Sequence, residues 1–248
     1  SAASDVYKRQ ILKEFRVHPE ELTGNHLIPF IPNIKKIDTK KDKRVASIAK
    51  ILANAASIHA ASTYLQRETE WDFMAIYHDA IDHFCHSAMK FHPPQRQGIP
   101  DDVYENYKGV VEAGYMFHDM MLDRTLSMID DNTTVIIVSD HGFHSDHLRP
   151  RYLIKEPASP AQEHSPYGIF CVKGPGIKKG EVIHGASVLD LTPTILSLYD
   201  LPIGKNMEGK ALTQIFENAY KPKFIDDWEK VEGCLLYTSD AADERHWV

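Results

Sequence analysis

The chain has 248 residues, 43% of them hydrophobic and 25% charged, a balance close to globular averages and sufficient for one sizeable core. No apolar run approaches the roughly 18 residues of a membrane span. The formal charge of -7 is spread along the sequence, so the basic footprint of a protein that binds long nucleic acid is missing. Cys85, Cys171 and Cys234 are too few and too scattered for a disulfide framework or a CxxC zinc site, and they leave the compartment open. Histidine is the outlier, with 14 residues. Seven of them, His78, His83, His86, His141, His144, His147 and His164, crowd around two acidic motifs, which points to metal or acid/base chemistry.

The two ends read differently from the rest. Asp5–Gln10 is DVYKRQ and Cys234–Ser239 is CLLYTS. GAT GTG TAT AAG AGA CAG would encode the first and TGT CTC TTA TAC ACA TCT the second. These strings are nearly reverse complements, and they match the transposase adapter of common sequencing libraries. Residues 1–10 and 234–248 are therefore expected to be adapter-derived tails flanking a partial catalytic domain over 11–233. Three basic and four acidic residues fall in the tails, so the charge of -7 becomes -6 without them.

In chain order, residues 11–42 carry Pro19, Pro29 and Pro32 and a lysine-rich stretch, which predicts a loop or small cap element. From Arg44 to Gln66, Val45, Ile48, Ile51, Leu52, Ala55, Ile58 and Leu65 recur at helical spacing and predict a long amphipathic helix. Phe73–Tyr77 predicts a short strand leading into a histidine-rich turn or helix start over Asp79–His86. After His92-Pro93-Pro94, a second long helix is predicted over Asp101–Ile129, with Met116, Met120, Met121 and Met128 in its core or flank. Thr134–Val138 is a β-branched run of the kind buried on both faces, and it ends at Ser139-Asp140-His141-Gly142. Tyr167–Val172 predicts another buried strand. Thr192 and Pro193 read as the N-cap and first residue of a further helix. Strand and helix alternate, so the fold class is α/β.

Asp82 and His86 are four apart, which on a helical turn puts a carboxylate and an imidazole on one face. Asp79 and His83 compete for the same role. Asp140 and His141 follow a strand, where α/β folds build sites, and Gly142 permits the tight turn that would aim both outward. His164 precedes the next strand and gains its value in combination with the others. His144, Asp146 and His147 read as loop groups or as partners that orient ligands. Gly174–Gly180 lacks the phosphate-loop pattern of a glycine-rich loop followed by Lys and Ser/Thr at a helix start, and reads as a turn with solvated lysines.

The ordered set Asp82xxxHis86, Ser139-Asp140-His141-Gly142, His164 before Gly168-Ile169-Phe170, Gly174-Pro175-Gly176-Ile177 and Asp190xxProThr resembles the alkaline phosphatase superfamily. Within it, the match is to the type I phosphodiesterase/nucleotide pyrophosphatase group, over about residues 44–215. The resemblance implies a sheet with helices on both faces, incomplete at its N-terminus. It also implies two divalent ions, zinc first and manganese as the alternative. Asp82, His86 and His164 would hold one ion and Asp140 and His141 the other, together with an earlier Asp and a Thr or Ser nucleophile. Residues 11–43 offer no counterpart for those last two, so the nucleophile is expected to belong to an upstream segment and this chain to be inactive by itself. The implied substrate is a small phosphoric ester or nucleotide-like molecule. A sulfatase, a metal-dependent phosphoglycerate mutase and a phosphonoacetate hydrolase share the scaffold, and a non-catalytic metal-binding module is the alternative of another class. His78-Asp79 also suggests an HD-type phosphohydrolase, but those sites lie on helices, and the strand before Asp140 argues against it.

Overall fold

The computed structural model describes residues 13–150 and 159–231; the two tails expected from the sequence lie outside them. The helices are α1 (Gly24–Leu27), α2 (Lys43–Glu68), α3 (Ala80–Ala88), α4 (Asp101–Tyr107), α5 (Val110–Leu126) and α6 (Leu191–Leu198). The strands are β1 (Val135–Val138), β2 (Gly142–Phe143), β3 (His164–Ser165), β4 (Phe170–Lys173), β5 (Ile203–Gly204) and β6 (Phe224–Ile225). They form two compact units: residues 13–130 with 141–150 and 159–167, and residues 131–140 with 168–231. No helix among the described residues is long and apolar enough to cross a membrane.

The first unit is helical around one core. Asp42 caps α2 by accepting from the Arg44 backbone N–H, and the helix buries Val45, Ile48, Leu52 and Ala55 on one face, the i, i+3, i+4 stripe of an amphipathic helix. Residues 13–42 are more than a cap. Leu27, Phe30, Ile31 and Ile34 are buried in the same core, and Phe30 stacks on Phe84 with ring centroids 5.2 Å apart. Helix α3 buries Ala80, Phe84, Cys85 and Ala88, a stripe that leaves Asp82 and His86 together on the opposite side. Burial pushes the Cys85 thiol up to about 12. Gly114 of α5 lets that helix approach α3: a Cβ there would stand 2.8 Å from Phe84 Cδ2.

The single helix expected over Asp101–Ile129 is two helices, because Gly109 heads α5 and interrupts the run; glycine is the weakest helix former after proline. Met121 is buried there, whereas Met116 and Met120 are exposed. Phe73–Tyr77 keeps an alternating pattern of exposure but forms no strand, since a strand needs a hydrogen-bonded neighbour and no described residue pairs with it. The β2–β3 pair is antiparallel, with Gly142 opposite Ser165 and Phe143 opposite His164. The loop after β2 is tied to the end of α3 by buried Arg149, whose guanidinium donates to the carbonyls of Met89, His92 and Pro94.

In the second unit β1 pairs with β4 antiparallel, from Val135 opposite Lys173 to Val138 opposite Phe170. A Cβ on Gly168 would collide with the Ser139 carbonyl oxygen, so glycine lets the ladder close there. The strand expected to be buried on both faces is only half-buried, and Val138 is exposed. The described sheets are two-stranded ladders, and a two-stranded ladder covers one edge of each strand. Phe170 and Val172 pack on buried Ile177, Leu212 and Ile215. Helix α6 starts two residues earlier than expected: its N-cap is Asp190, and Pro193 falls third in the helix. That position lies in the first turn, where no backbone N–H has a partner within the helix and proline is tolerated. Asp190 is buried and accepts from the backbone N–H groups of Ser187 and Lys210. The α/β class therefore holds, with its sheet content in short ladders.

Asp42 ties α2 to α4, because it also accepts from Tyr107 Oη at 2.7 Å and from the Arg44 guanidinium. The hydrogen bond from the Arg44 side chain, with help from Tyr107, holds the Asp42 carboxyl below the ordinary 3.8. A folded-state value below the unfolded one means stability present above about pH 4 and lost as pH falls through the folded value. Asp42→Ala should cost about 2–3 kcal/mol, from a lost cap and an orphaned tyrosine hydroxyl, in urea unfolding at pH 7. The gap to wild type should narrow at pH 3, and a constant gap would contradict this role.

Candidate metal centre

Four side chains of the first unit meet at one carboxylate oxygen. Asp82 stands in the first turn of α3 and His86 in its last, and His86 Nε2 lies 3.4 Å from Asp82 Oδ1. His164 opens β3, and its Nε2 is 3.5 Å from the same oxygen and 3.0 Å from His86 Nε2. His141, just before β2, brings its Nε2 to 3.8 Å from Asp82 Oδ1 and stacks its ring on His164 at 3.7 Å and 13°. The β2–β3 register makes this possible: with Phe143 opposite His164, His141 falls two positions along from His164's partner and so on the same face of the ladder, diagonal to His164. Phe143 lies against all three imidazoles, with centroids 4.9 Å from His86, 4.9 Å from His164 and 5.8 Å from His141, and so shields one side with apolar surface.

The arrangement fits a divalent ion on its own terms. Donors of a tetrahedral zinc site stand roughly 3.3 Å from one another, given metal–nitrogen distances of 2.0–2.1 Å. The triangle formed by Asp82, His86 and His164 has edges of 3.0, 3.4 and 3.5 Å. Asp82 Oδ1 is buried without a hydrogen-bond partner, a state that costs on the order of 1–3 kcal/mol unless something satisfies it. Burial first, then the neighbouring imidazoles of His141 and His86, pushes His164 below its ordinary value. That keeps it in the neutral form that ligates metals. Among the described residues, Asp82, His86 and His164 are the group of three whose ligand atoms lie within 4.8 Å of one another.

The rival pair is accounted for elsewhere. His83 Nε2 meets Asp79 Oδ2 at 3.3 Å on the exposed side of α3. His144 and His147 both flank Asp146, at 3.6 and 3.8 Å, and Asp146 accepts from the Leu148 backbone N–H in a loop turn. His78 packs edge-on against His118, and burial pushes it down to about 4. Asp140 directly precedes His141 in the chain but belongs to the second unit, exposed just beyond β1. Two residues at the centre were not singled out from sequence. Phe143 carried no signal. Glu163 did, as an acidic residue beside a candidate ligand, and it is buried with its Oε2 2.8 Å from His86 Nδ1.

The family model described as type I phosphodiesterase / nucleotide pyrophosphatase matches residues 6–153. The chain is similar to an "Ulvan-active sulfatase" of Formosa agariphila, 25% identical over 187 residues, which is 66% of this chain and 36% of that protein. It is also similar to "Arylsulfatase K" of Homo sapiens, 33% identical over 152 residues, or 57% of this chain and 27% of that protein. The chain thus spans about a third or less of these curated relatives. No solved structure matches it significantly.

An unpartnered carboxylate oxygen at the focus of three imidazoles suggests a test without metal. With chelator present at pH 8, Asp82→Asn should leave stability unchanged or raise it by about 1 kcal/mol, because the amide can donate to an imidazole that the carboxylate cannot. Destabilisation of more than about 1 kcal/mol in urea unfolding would make Asp82 a structural residue.

Proposed function

We propose, for a chain that belongs to the type I phosphodiesterase / nucleotide pyrophosphatase family of the alkaline phosphatase superfamily, that it carries the metal centre of a hydrolase of phosphoric esters. The observation that carries the reading is the triangle of Asp82 Oδ1, His86 Nε2 and His164 Nε2, with edges of 3.0 to 3.5 Å. These three would hold one divalent ion. Nitrogen and carboxylate donors favour zinc, with manganese the alternative. When bound there, a divalent ion would supply charge stabilisation for a displacement at phosphorus.

This chain's own residues supply orientation and exclusion of water. Helix α3 sets Asp82 and His86 at fixed spacing, the β2–β3 pair aims His164, and Phe143 lowers the polarity on one side, which strengthens every charge interaction there. The Thr or Ser nucleophile and the further Asp that the resemblance implies have no counterpart in residues 11–43, and we assign both to upstream chain. Small phosphoric esters or nucleotide-like molecules are the proposed substrates. The names of the similar proteins favour a second reading, hydrolysis of sulfuric esters.

Two measurements test this. Zinc at one hundred times its dissociation constant should stabilise the protein by about 2.7 kcal/mol, some 5–10 °C in Tm for a chain of this size. His86→Ala and His164→Ala should each reduce the shift sharply by weakening binding, and a shift unchanged in both would place the ion elsewhere. An aryl phosphodiester and an aryl sulfate should then be offered to this chain and to a version extended through the upstream strand and nucleophile loop. The extended protein should turn over the phosphodiester at least about a thousandfold faster than this chain does. Preference for the sulfate would select the second reading, and equal rates from the two proteins would remove the upstream nucleophile.

A further inference from the structure

His86 is engaged at both ring nitrogens by consecutive residues. Its Nε2 faces His164 and Asp82, while its Nδ1 lies 2.8 Å from Glu163 Oε2. Glu163 is 8% exposed, and His86 is its closest ionisable partner, no lysine or arginine standing within ion-pair distance among the described residues. The carboxylate is held in place by the backbone. The Glu163 carbonyl accepts from the His144 N–H at 2.9 Å, one step beyond the ladder that pairs Phe143 with His164. The same short ladder therefore sets both the histidine that faces Nε2 and the carboxylate that faces Nδ1.

A carboxylate only accepts hydrogen bonds, so the 2.8 Å contact requires the proton of neutral His86 to sit on Nδ1. The Nε2 lone pair is then directed into the triangle with Asp82 and His164, and the ring cannot turn over without losing that contact. A nearby anion also raises the electron density of the ligating nitrogen. A buried carboxylate without a cation beside it is costly, and a divalent ion on His86 would offset that cost through the ring.

We infer that Glu163 is a positioning residue for the metal centre, acting through His86 to fix its tautomer and ring orientation and adding one negative charge to the site. This rests on the metal-centre reading above. It assigns Glu163 no contact with the ion or the substrate.

Zinc affinity, measured by competition with a chromogenic chelator on the full chain, tests it. Glu163→Ala should weaken binding about 10- to 100-fold. Glu163→Gln keeps the shape and an acceptor oxygen for Nδ1–H but not the charge, so it should fall between wild type and Glu163→Ala. In a His86→Ala background, Glu163→Ala should cause little further loss, because the two residues act as one unit. Full additivity of the two substitutions would overturn the coupling, as would wild-type affinity in Glu163→Ala. If Glu163→Ala fails to fold, Glu163→Gln decides alone, and wild-type affinity in that variant would exclude the charge contribution. Failure of the wild-type chain to bind zinc or manganese would overturn the metal centre and this role together, whereas intact wild-type binding with an insensitive Glu163 would overturn this role only.

Discussion

Asp82 Oδ1 is the atom around which the first unit is organised. It is buried, lacks a hydrogen-bond partner, and has three imidazole nitrogens between 3.4 and 3.8 Å away. Packing alone would not retain such an arrangement, since an unsatisfied carboxylate oxygen beside neutral rings costs free energy. The surrounding core has to hold it. Phe84 and Ala88 anchor the opposite side of α3, Gly114 admits α5 against Phe84, and Arg149 ties the loop after β2 to the end of the same helix.

Placing charge chemistry on an otherwise ordinary helix makes the site sensitive to that packing. A change in how α3 sits would move Asp82 and His86 together, preserving their mutual spacing while breaking their relation to His164. The ladder of β2 and β3 is only two residue pairs long, so hydrogen bonds alone hold it weakly. Phe143, in contact with three imidazoles, adds apolar contact where backbone pairing is short. An ion at the triangle would join helix and ladder, and metal binding and local stability would then be linked.

Family membership and the names of the similar proteins bear on different questions. The family places the chain among hydrolases of the alkaline phosphatase superfamily, and the proteins named as sulfatases to which it is similar belong to that same superfamily, whose members act on more than one kind of ester. Both ester types present a tetrahedral centre with negatively charged oxygens, and a histidine and carboxylate set can serve either. Discrimination between them would therefore lie outside the residues proposed to hold an ion.

Much of the centre was legible before any coordinates. Asp82 and His86 share a face because four residues make about one helical turn, and that holds wherever the helix packs. The long helix α2 and its core stripe followed from periodicity, and the β-branched run of β1 from side-chain shape. Local rules could not decide pairing. Phe73–Tyr77 has the alternation of a strand yet no partner among the described residues, and β1 is half-buried because its ladder has two strands. Spacing alone could not separate Asp82 and His86 from Asp79 and His83, since both pairs are four apart, and only the family resemblance favoured the first pair. Burial of Ala80, Phe84 and Ala88 decided which pair turned toward His164. Glu163 and Phe143 became visible only through the register of β2 with β3, which sets residues some twenty positions apart side by side: spacing along a chain determines what one element can present, and only packing between elements determines what those groups will meet.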